Sequence, residues 1–303
     1  MGHGHHHHVD ASAGDRRLAF TVAVNLGLTV AQVVGGLLAG SLALIADALH
    51  NFSDAISLII AMVARRIARR PADASMTFGY GRAEVVAALV NYTTLIVIAL
   101  TLAVEGIGRI VEPRPVDGWL VVAVAGIALV VDLVTAALTY ALGKSSVNIR
   151  AAFLHNVADA LGSVAVIVAG TLIILYDWRL VDPIATLLIA GFVLWHALRE
   201  VGGVVRILML ASPPELDTGT VLSALRGADG VADVHHVHLW QMQEHDAALD
   251  AHVVVDPGRW DEADAIKAGL KAMVAARFGI THTTLELECA RHSCEAAPLV
   301  GHG

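Results

Sequence analysis

The sequence predicts an α-helical membrane protein with six transmembrane helices, followed by a small α/β domain. Three observations predict it. Apolar residues make up 56% of the 303 residues and charged residues only 16%, with mean hydropathy +0.66, against about 45–50% and about 25% in ordinary soluble domains. Six apolar runs reach the roughly 20 residues that a helix needs to cross a bilayer. Charge is also unevenly divided: residues 1–210 carry 14 Lys+Arg and 14 Asp+Glu, residues 211–303 carry 6 and 14, so the net charge of −8 belongs to the second segment. These figures exclude a water-soluble globule and a disordered chain. A basic footprint for nucleic acid is absent.

The spans read as Leu18–Ala39, Ser41–Ala64, Ala83–Gly108, Val116–Leu142, Ala151–Tyr176 and Pro183–Leu208. The first is too long, and lacks the cleavage flank, for a removed signal peptide. Turn residues and charge mark the joints: Gly40, Arg65-Arg66 to Pro71, Pro113 and Pro115, Gly143-Lys144, and Asp177 to Asp182. Arg199 and Glu200 interrupt the sixth run, which is expected to leave the membrane before it ends. With a cytoplasmic N-terminus, the inner side holds eleven Lys and Arg (Arg16, Arg17, Arg65, Arg66, Arg69, Arg70, Arg82, Lys144, Arg150, Arg199 and Arg206) and the outer side three, Arg109, Arg114 and Arg179. Because cationic loops stay inside, both termini are expected in the cytoplasm of a multi-pass protein of the bacterial inner (plasma) membrane.

Pro213-Pro214 ends the apolar half. Beyond it Leu216–Leu225 reads as a short helix, Val231–Met242 and Ala247–Val255 as strands with period-two alternation, Asp261–Phe278 as an amphipathic helix and Thr281–Glu288 as a third strand. That order predicts a small sheet with helices on one face, ferredoxin-like or metallochaperone-like in build. The expected domains are a His-rich tail over 1–15, a transmembrane domain over 16–210, a cytoplasmic α/β domain over 211–290 and a flexible tail over 291–303. His3 and His5 to His8 read either as a loose metal-collecting tail or as a purification tag. Cys289 and Cys294 are the only cysteines, too close and too few for a disulfide framework.

Ionisable groups inside a membrane cost from about 2.5 kcal/mol upward, so they signal function by default. Here they repeat. The second span carries His50 and Asp54 and the fifth His155 and Asp159. Spacing i,i+4 sets each pair on one helix face, one turn apart. Two such faces together offer two imidazoles and two carboxylates, a set suited to tetrahedral zinc whose two negative charges balance a divalent ion. Helix clamps use Ser, Thr or Asn and rarely need four ionisable groups. Asp47 and Asn51 lie on neighbouring faces as candidate supporting or gating groups; Asn25, Gln32 and Asp132 read as interhelical hydrogen bonds.

The stretches ADALHNFSD (46–54), FGYGRAE (78–84) and AAFLHNVADALGS (151–163) together resemble the cation diffusion facilitator (CDF) family, in particular its bacterial zinc/cobalt/cadmium exporters. The resemblance runs from about residue 16 to 288. It implies a homodimeric antiporter, not an enzyme, that moves divalent metal out of the cytoplasm in exchange for protons, with His50, Asp54, His155 and Asp159 as transport site. Some members hold a second metal on the loop between spans two and three; the matching positions here are Asp73, Met76 and Tyr80, only one of them a ligand type, so that site is expected to be absent. In the cytoplasmic domain the resemblance points to His235, His252, Asp264, Glu286 and Glu288 as metal ligands. Read from the residues alone, His236 and His238 are candidates too, and strand alternation would set them on one face with His235 and Val237 on the other.

Zinc is expected both as transported substrate and as regulatory ligand, with protons and the bilayer as the other partners and no organic cofactor. Cobalt, cadmium, iron or manganese as main cargo is the alternative within the class. A membrane-anchored metal sensor or metalloenzyme is the alternative outside it; the run His235-His236-Val237-His238 resembles the HxH of metal hydrolases but lacks a partner set with a general base. No Walker loop, dinucleotide fingerprint or catalytic triad pattern appears.

Overall fold

The computed structural model describes residues 11–142, 147–243, 246–294 and 298–301, with side chains from residue 24 onward except at 54, 58, 138–156 and 158. Six long helices come first: α1 (Ala11–Ala39), α2 (Leu42–Ala68), α3 (Ala83–Val111), α4 (Gly118–Leu142), α5 (Val147–Tyr176) and α6 (Val181–Leu208). Five are long and apolar enough to span a membrane, and α1 contributes an apolar stretch over Val24–Ala39 among its described residues. The helices start or end up to several residues outside the apolar runs, because backbone hydrogen bonding continues through the polar residues at the interface. Helix α6 runs unbroken past Arg199 and Glu200.

The described residues fall into two compact units, one within residues 1–63 and 90–201, the other within residues 64–89 and 202–303. In the first unit helices meet through small side chains, as membrane helices must when lipid offers no hydrophobic gain for bulk. Ala39, Ala43, Leu44, Val121, Ala125, Val166, Ala169 and Ala185 form one buried cluster, and Leu95, Ala99, Val193 and Ala197 join α3 to α6. A Cβ on Gly118 would stand 2.7 Å from the Gly170 carbonyl oxygen, so glycine permits the close approach of α4 and α5. Large apolar side chains such as Leu38, Val104, Leu161, Leu188 and Trp195 point outward, as a lipid-facing surface requires.

The corner between α1 and α2 is pinned from three directions. Asp182, at the start of α6 and 1% exposed, accepts hydrogen bonds from the Ser41 hydroxyl and from the amides of Leu42 (2.9 Å) and Ala43 (3.4 Å), so a carboxylate from α6 caps the positive end of α2. Arg109 of α3 donates to the Gly40 carbonyl, and the Asp117 amide donates to Ala39 (2.8 Å). Gly40 has φ +71°, and a Cβ there would lie 2.8 Å from the Pro115 carbonyl oxygen. Gly40→Ala is therefore expected to lower stability by about 1–3 kcal/mol, from left-handed strain and the clash. Thermal unfolding of the detergent-solubilised protein checks it, and an unchanged midpoint would contradict it.

In the second unit the predicted order holds: α7 (Thr218–Arg226), β1 (Val231–Gln243), β2 (Asp246–Val255), a 3-10 turn at Trp260–Glu262, α8 (Ala263–Phe278) and β3 (His282–Cys289). Asp217 starts α7 by accepting from the Thr220 amide, and Gly279, with φ +70°, ends α8. The sheet order is β1-β2-β3, antiparallel then parallel. One face packs Val234, Leu249, Val253 and Leu285 against Leu225, Ile266, Leu270 and Val274 of the helices. Residues 298–301, part of the segment expected to be a flexible tail, instead lie along β1: the His236 and Val237 amides donate to the carbonyls of Pro298 (3.0 Å) and Leu299 (3.1 Å), and Gly301 donates to Val237 (3.3 Å).

Candidate functional site

In the first unit, His50 on α2 and Asp159 on α5 are neighbours. His50 Nε2 lies 3.5 Å from Asp159 Oδ1, and their side chains are 19% and 11% exposed. The side chains of Asp54 and His155 lie outside the described residues; their backbones sit one helical turn along α2 and α5 from this pair.

Buried polar contacts hold α2 in register beside it. Gln32 of α1, fully buried, donates to Asp47 Oδ2 (2.6 Å) and accepts from Asn51 Nδ2 (3.2 Å), so one amide grips residues on either side of His50. On α4, Asp132 accepts from the Ser163 hydroxyl of α5 (3.0 Å). Asp47, Asn51, Gln32 and Asp132 thus serve as interhelical links around the His50–Asp159 pair, while the Asn25 carbonyl accepts a bond from Thr29 within α1. His50 and Asp159 bring together an imidazole and a carboxylate, groups that bind a divalent cation only when deprotonated.

The loop between α2 and α3 is organised around Asp73. Its carboxylate accepts from the Ser75 hydroxyl (2.6 Å), the amides of Ser75 and Met76, and the Tyr80 hydroxyl (2.7 Å). Bonds from Ser75 and Tyr80 hold the Asp73 carboxyl well below the usual range, and the bond to Asp73 pushes the Tyr80 phenol up. Asp73, Met76 and Tyr80 are joined by a turn in which the carboxylate is already engaged.

In the second unit, register builds the other cluster. His235, His252 and Glu286 stand side by side across the three strands. Glu288, two residues along β3, reaches His252 Nδ1 (2.6 Å) and His235 Nε2 (3.4 Å), and Glu286 lies 3.4 Å from His252 Nε2. Burial alone would raise the Glu288 carboxyl, but bonds from His252 and the Cys294 amide, with His235 alongside, hold it below its ordinary value. Asp264 is not brought here: it lies on the first turn of α8, 97% exposed and paired with Lys267 at 3.1 Å.

Strand alternation fails at one point. A β-bulge shifts the register between His235 and His238, and His236 adopts φ +48°. The extra residue turns His236 to the side of His235, with ring centroids 5.1 Å apart, while Val237 stays in the core. His236 lies 4.9 Å from the His252 ring as well. Ligand atoms of His235, His236, His252 and Cys294 fall within 4.8 Å of one another, as do those of His252, Glu286 and Glu288. The HHVH run marked the strand, but nothing in it signals the bulge, and no spacing rule joins Cys294 to histidines some 40 to 60 residues earlier.

Comparison with known proteins divides the chain near residue 210. Residues 18–209 match the family profile described as the cation efflux transmembrane domain, and residues 213–289 the one described as the cation efflux protein, cytoplasmic domain. The chain is 34% identical over 302 residues to the cadmium, cobalt and zinc/H(+)-K(+) antiporter of Bacillus subtilis, covering 99% of this chain and 96% of that protein. It is 35% identical over 293 residues to the zinc transporter ZitB of Escherichia coli, covering 95% and 93%. It is 35% identical over 305 residues to the metal cation efflux system protein CzcD of Cupriavidus metallidurans, covering 100% and 94%.

Proposed function

The chain belongs to the cation diffusion facilitator family of membrane cation exporters, and from that premise we propose that it carries divalent metal, zinc first, out of the cytoplasm in exchange for protons. The observation that carries the reading is the meeting of His50 and Asp159 from α2 and α5 at 3.5 Å. Asp54 and His155, one turn away, complete four nitrogen and oxygen ligands around one ion. Two carboxylates neutralise the ion and lower the cost of its passage. Alternating access then exposes this set to each side in turn. Metal and protons compete for the same lone pairs, so each excludes the other, and histidine, titrating near pH 6.5 (roughly), makes the exchange responsive at cellular pH.

In this reading the protein is a homodimer in the inner membrane with both termini in the cytoplasm, divided near residue 210 between transport and cytoplasmic domains. His235, His252, Glu286 and Glu288 hold a regulatory metal in the cytoplasmic domain, with Asp264 left at the surface of the protomer. No organic cofactor takes part, and the Asp73 turn holds no metal. Zinc added to the purified protein in weak buffer at about pH 6.5 is expected to release protons in proportion to metal bound. Binding without proton release would contradict the exchange.

The relatives named for cadmium and cobalt favour a second reading, in which those metals are also cargo. An imidazole-to-carboxylate change hardens the ligand set, so His50→Asp is expected to reduce the preference for zinc over manganese by about tenfold in competitive flux. An unchanged preference would remove His50 as the discriminator.

A further inference from the structure

We propose that the end of α2 and the loop that follows it form a seat for an anionic phospholipid, in which Arg66 and Arg69 hold the headgroup phosphate and Arg65 and Arg70 flank it. The seat requires that α2 span the bilayer, and it is independent of which ion the protein carries.

Charge, placement and geometry carry it. Residues 64–84 hold five arginines against two carboxylates, a balance of +3 in a chain whose net charge is −8. Both carboxylates are already engaged. Glu84 lies 3.9 Å from Arg65, and Asp73 accepts from Ser75, Met76 and Tyr80. Arg82 is committed to the Met242 carbonyl (3.0 Å). Arg66 and Arg69 are exposed, and no described carboxylate pairs with either. Helix α2 is long and apolar enough to cross a membrane and closes at Ala68, with Arg65 and Arg66 in its last turn. The four guanidiniums therefore stand where an apolar span meets the headgroups. The Arg69 amide donates to the Arg65 carbonyl (3.2 Å), which carries the helical path one residue further. Arg66 and Arg69, three residues apart, are thus surface neighbours with Cβ atoms about 5–6 Å from one another. That spacing lets two planar guanidiniums take the two free oxygens of one phosphodiester. Arg70 Cζ lies 5.9 Å over the Tyr80 ring, whose hydroxyl is tied to Asp73 (2.7 Å), so the flank of the seat is braced before lipid arrives. A zwitterionic headgroup offers the same phosphate, but its ammonium meets like charge; phosphatidylglycerol brings none.

Full-length protein in neutral detergent, offered equal phosphatidylglycerol and phosphatidylcholine, supplies the test, with retained lipids counted by native mass spectrometry. The parent is expected to keep phosphatidylglycerol over phosphatidylcholine by at least about tenfold, a preference that Arg66→Gln/Arg69→Gln lowers to about twofold or less. Arg114→Gln, at an exposed arginine of another loop, is expected to leave it unchanged. Arg66→Lys/Arg69→Lys keeps the charge and loses the planar fork, so it is expected to lower the preference about threefold. Millimolar inorganic phosphate is expected not to displace the lipid. A preference that survives in the glutamine pair, or that falls equally in Arg114→Gln, overturns the seat. A lysine pair equal to the parent overturns the grip of two guanidiniums on one phosphate, and displacement by inorganic phosphate overturns the lipid as the ligand.

Discussion

Asp159→Ala is expected to abolish zinc flux, lowering it at least about 100-fold in proteoliposomes, because it removes one of two carboxylates from a site that must both bind the ion and balance its charge. Asp159→Asn should be nearly as inactive: it keeps the side chain's size beside His50 (3.5 Å) but not its charge. Both variants are expected to insert and fold, since the contacts that hold α2 in place at this level run through Gln32, Asp47 and Asn51. The check is initial flux at saturating zinc together with binding by calorimetry. Flux within twofold of the parent in either variant would place the transport site elsewhere.

Asp182→Ala is expected to be the most destabilising single change, by about 2–4 kcal/mol. It would strip the acceptor from the Ser41 hydroxyl and from the Leu42 and Ala43 amides at a site where Asp182 is 1% and Ser41 0% exposed. Water does not reach these groups, so each donor bears its desolvation cost unpaired. Asp182→Asn keeps one acceptor oxygen and should cost about half as much. The shift in unfolding midpoint in detergent measures both. Because α2 also carries His50, a loosened cap is expected to raise the zinc concentration for half-maximal flux before it lowers the maximal rate. A midpoint shift under about 0.5 kcal/mol would mean that the cap contributes little to holding α2.

The spans and the α/β order were legible because hydropathy and helical period act over neighbouring residues. Helix ends were less so: α2 continues to Ala68, beyond the apolar run that closes at Ala64, because its last polar turn is set by backbone bonding. What escaped the sequence is long-range or conformational. Ser41 and Asp182 meet across 141 residues with no motif to announce them. His235 and His236 share a side only because the backbone at His236 turns left-handed, against a period-two rule that would separate them. Asp264, a ligand position that the family resemblance implies, lies on the first turn of α8, where it pairs with Lys267. Residues 298–301 pair with the β1 edge beside the bulge, a long-range contact that no local signal in the tail announces.

In the proposed cycle metal and protons exchange at one site between α2 and α5. Zinc uptake into proteoliposomes of the parent protein under an imposed inside-acid pH gradient tests it most directly. Uptake that scales with the gradient, collapses with a protonophore and raises internal pH as zinc enters is the predicted result. Uptake indifferent to the gradient, or protons that fail to move with the metal, would contradict the account.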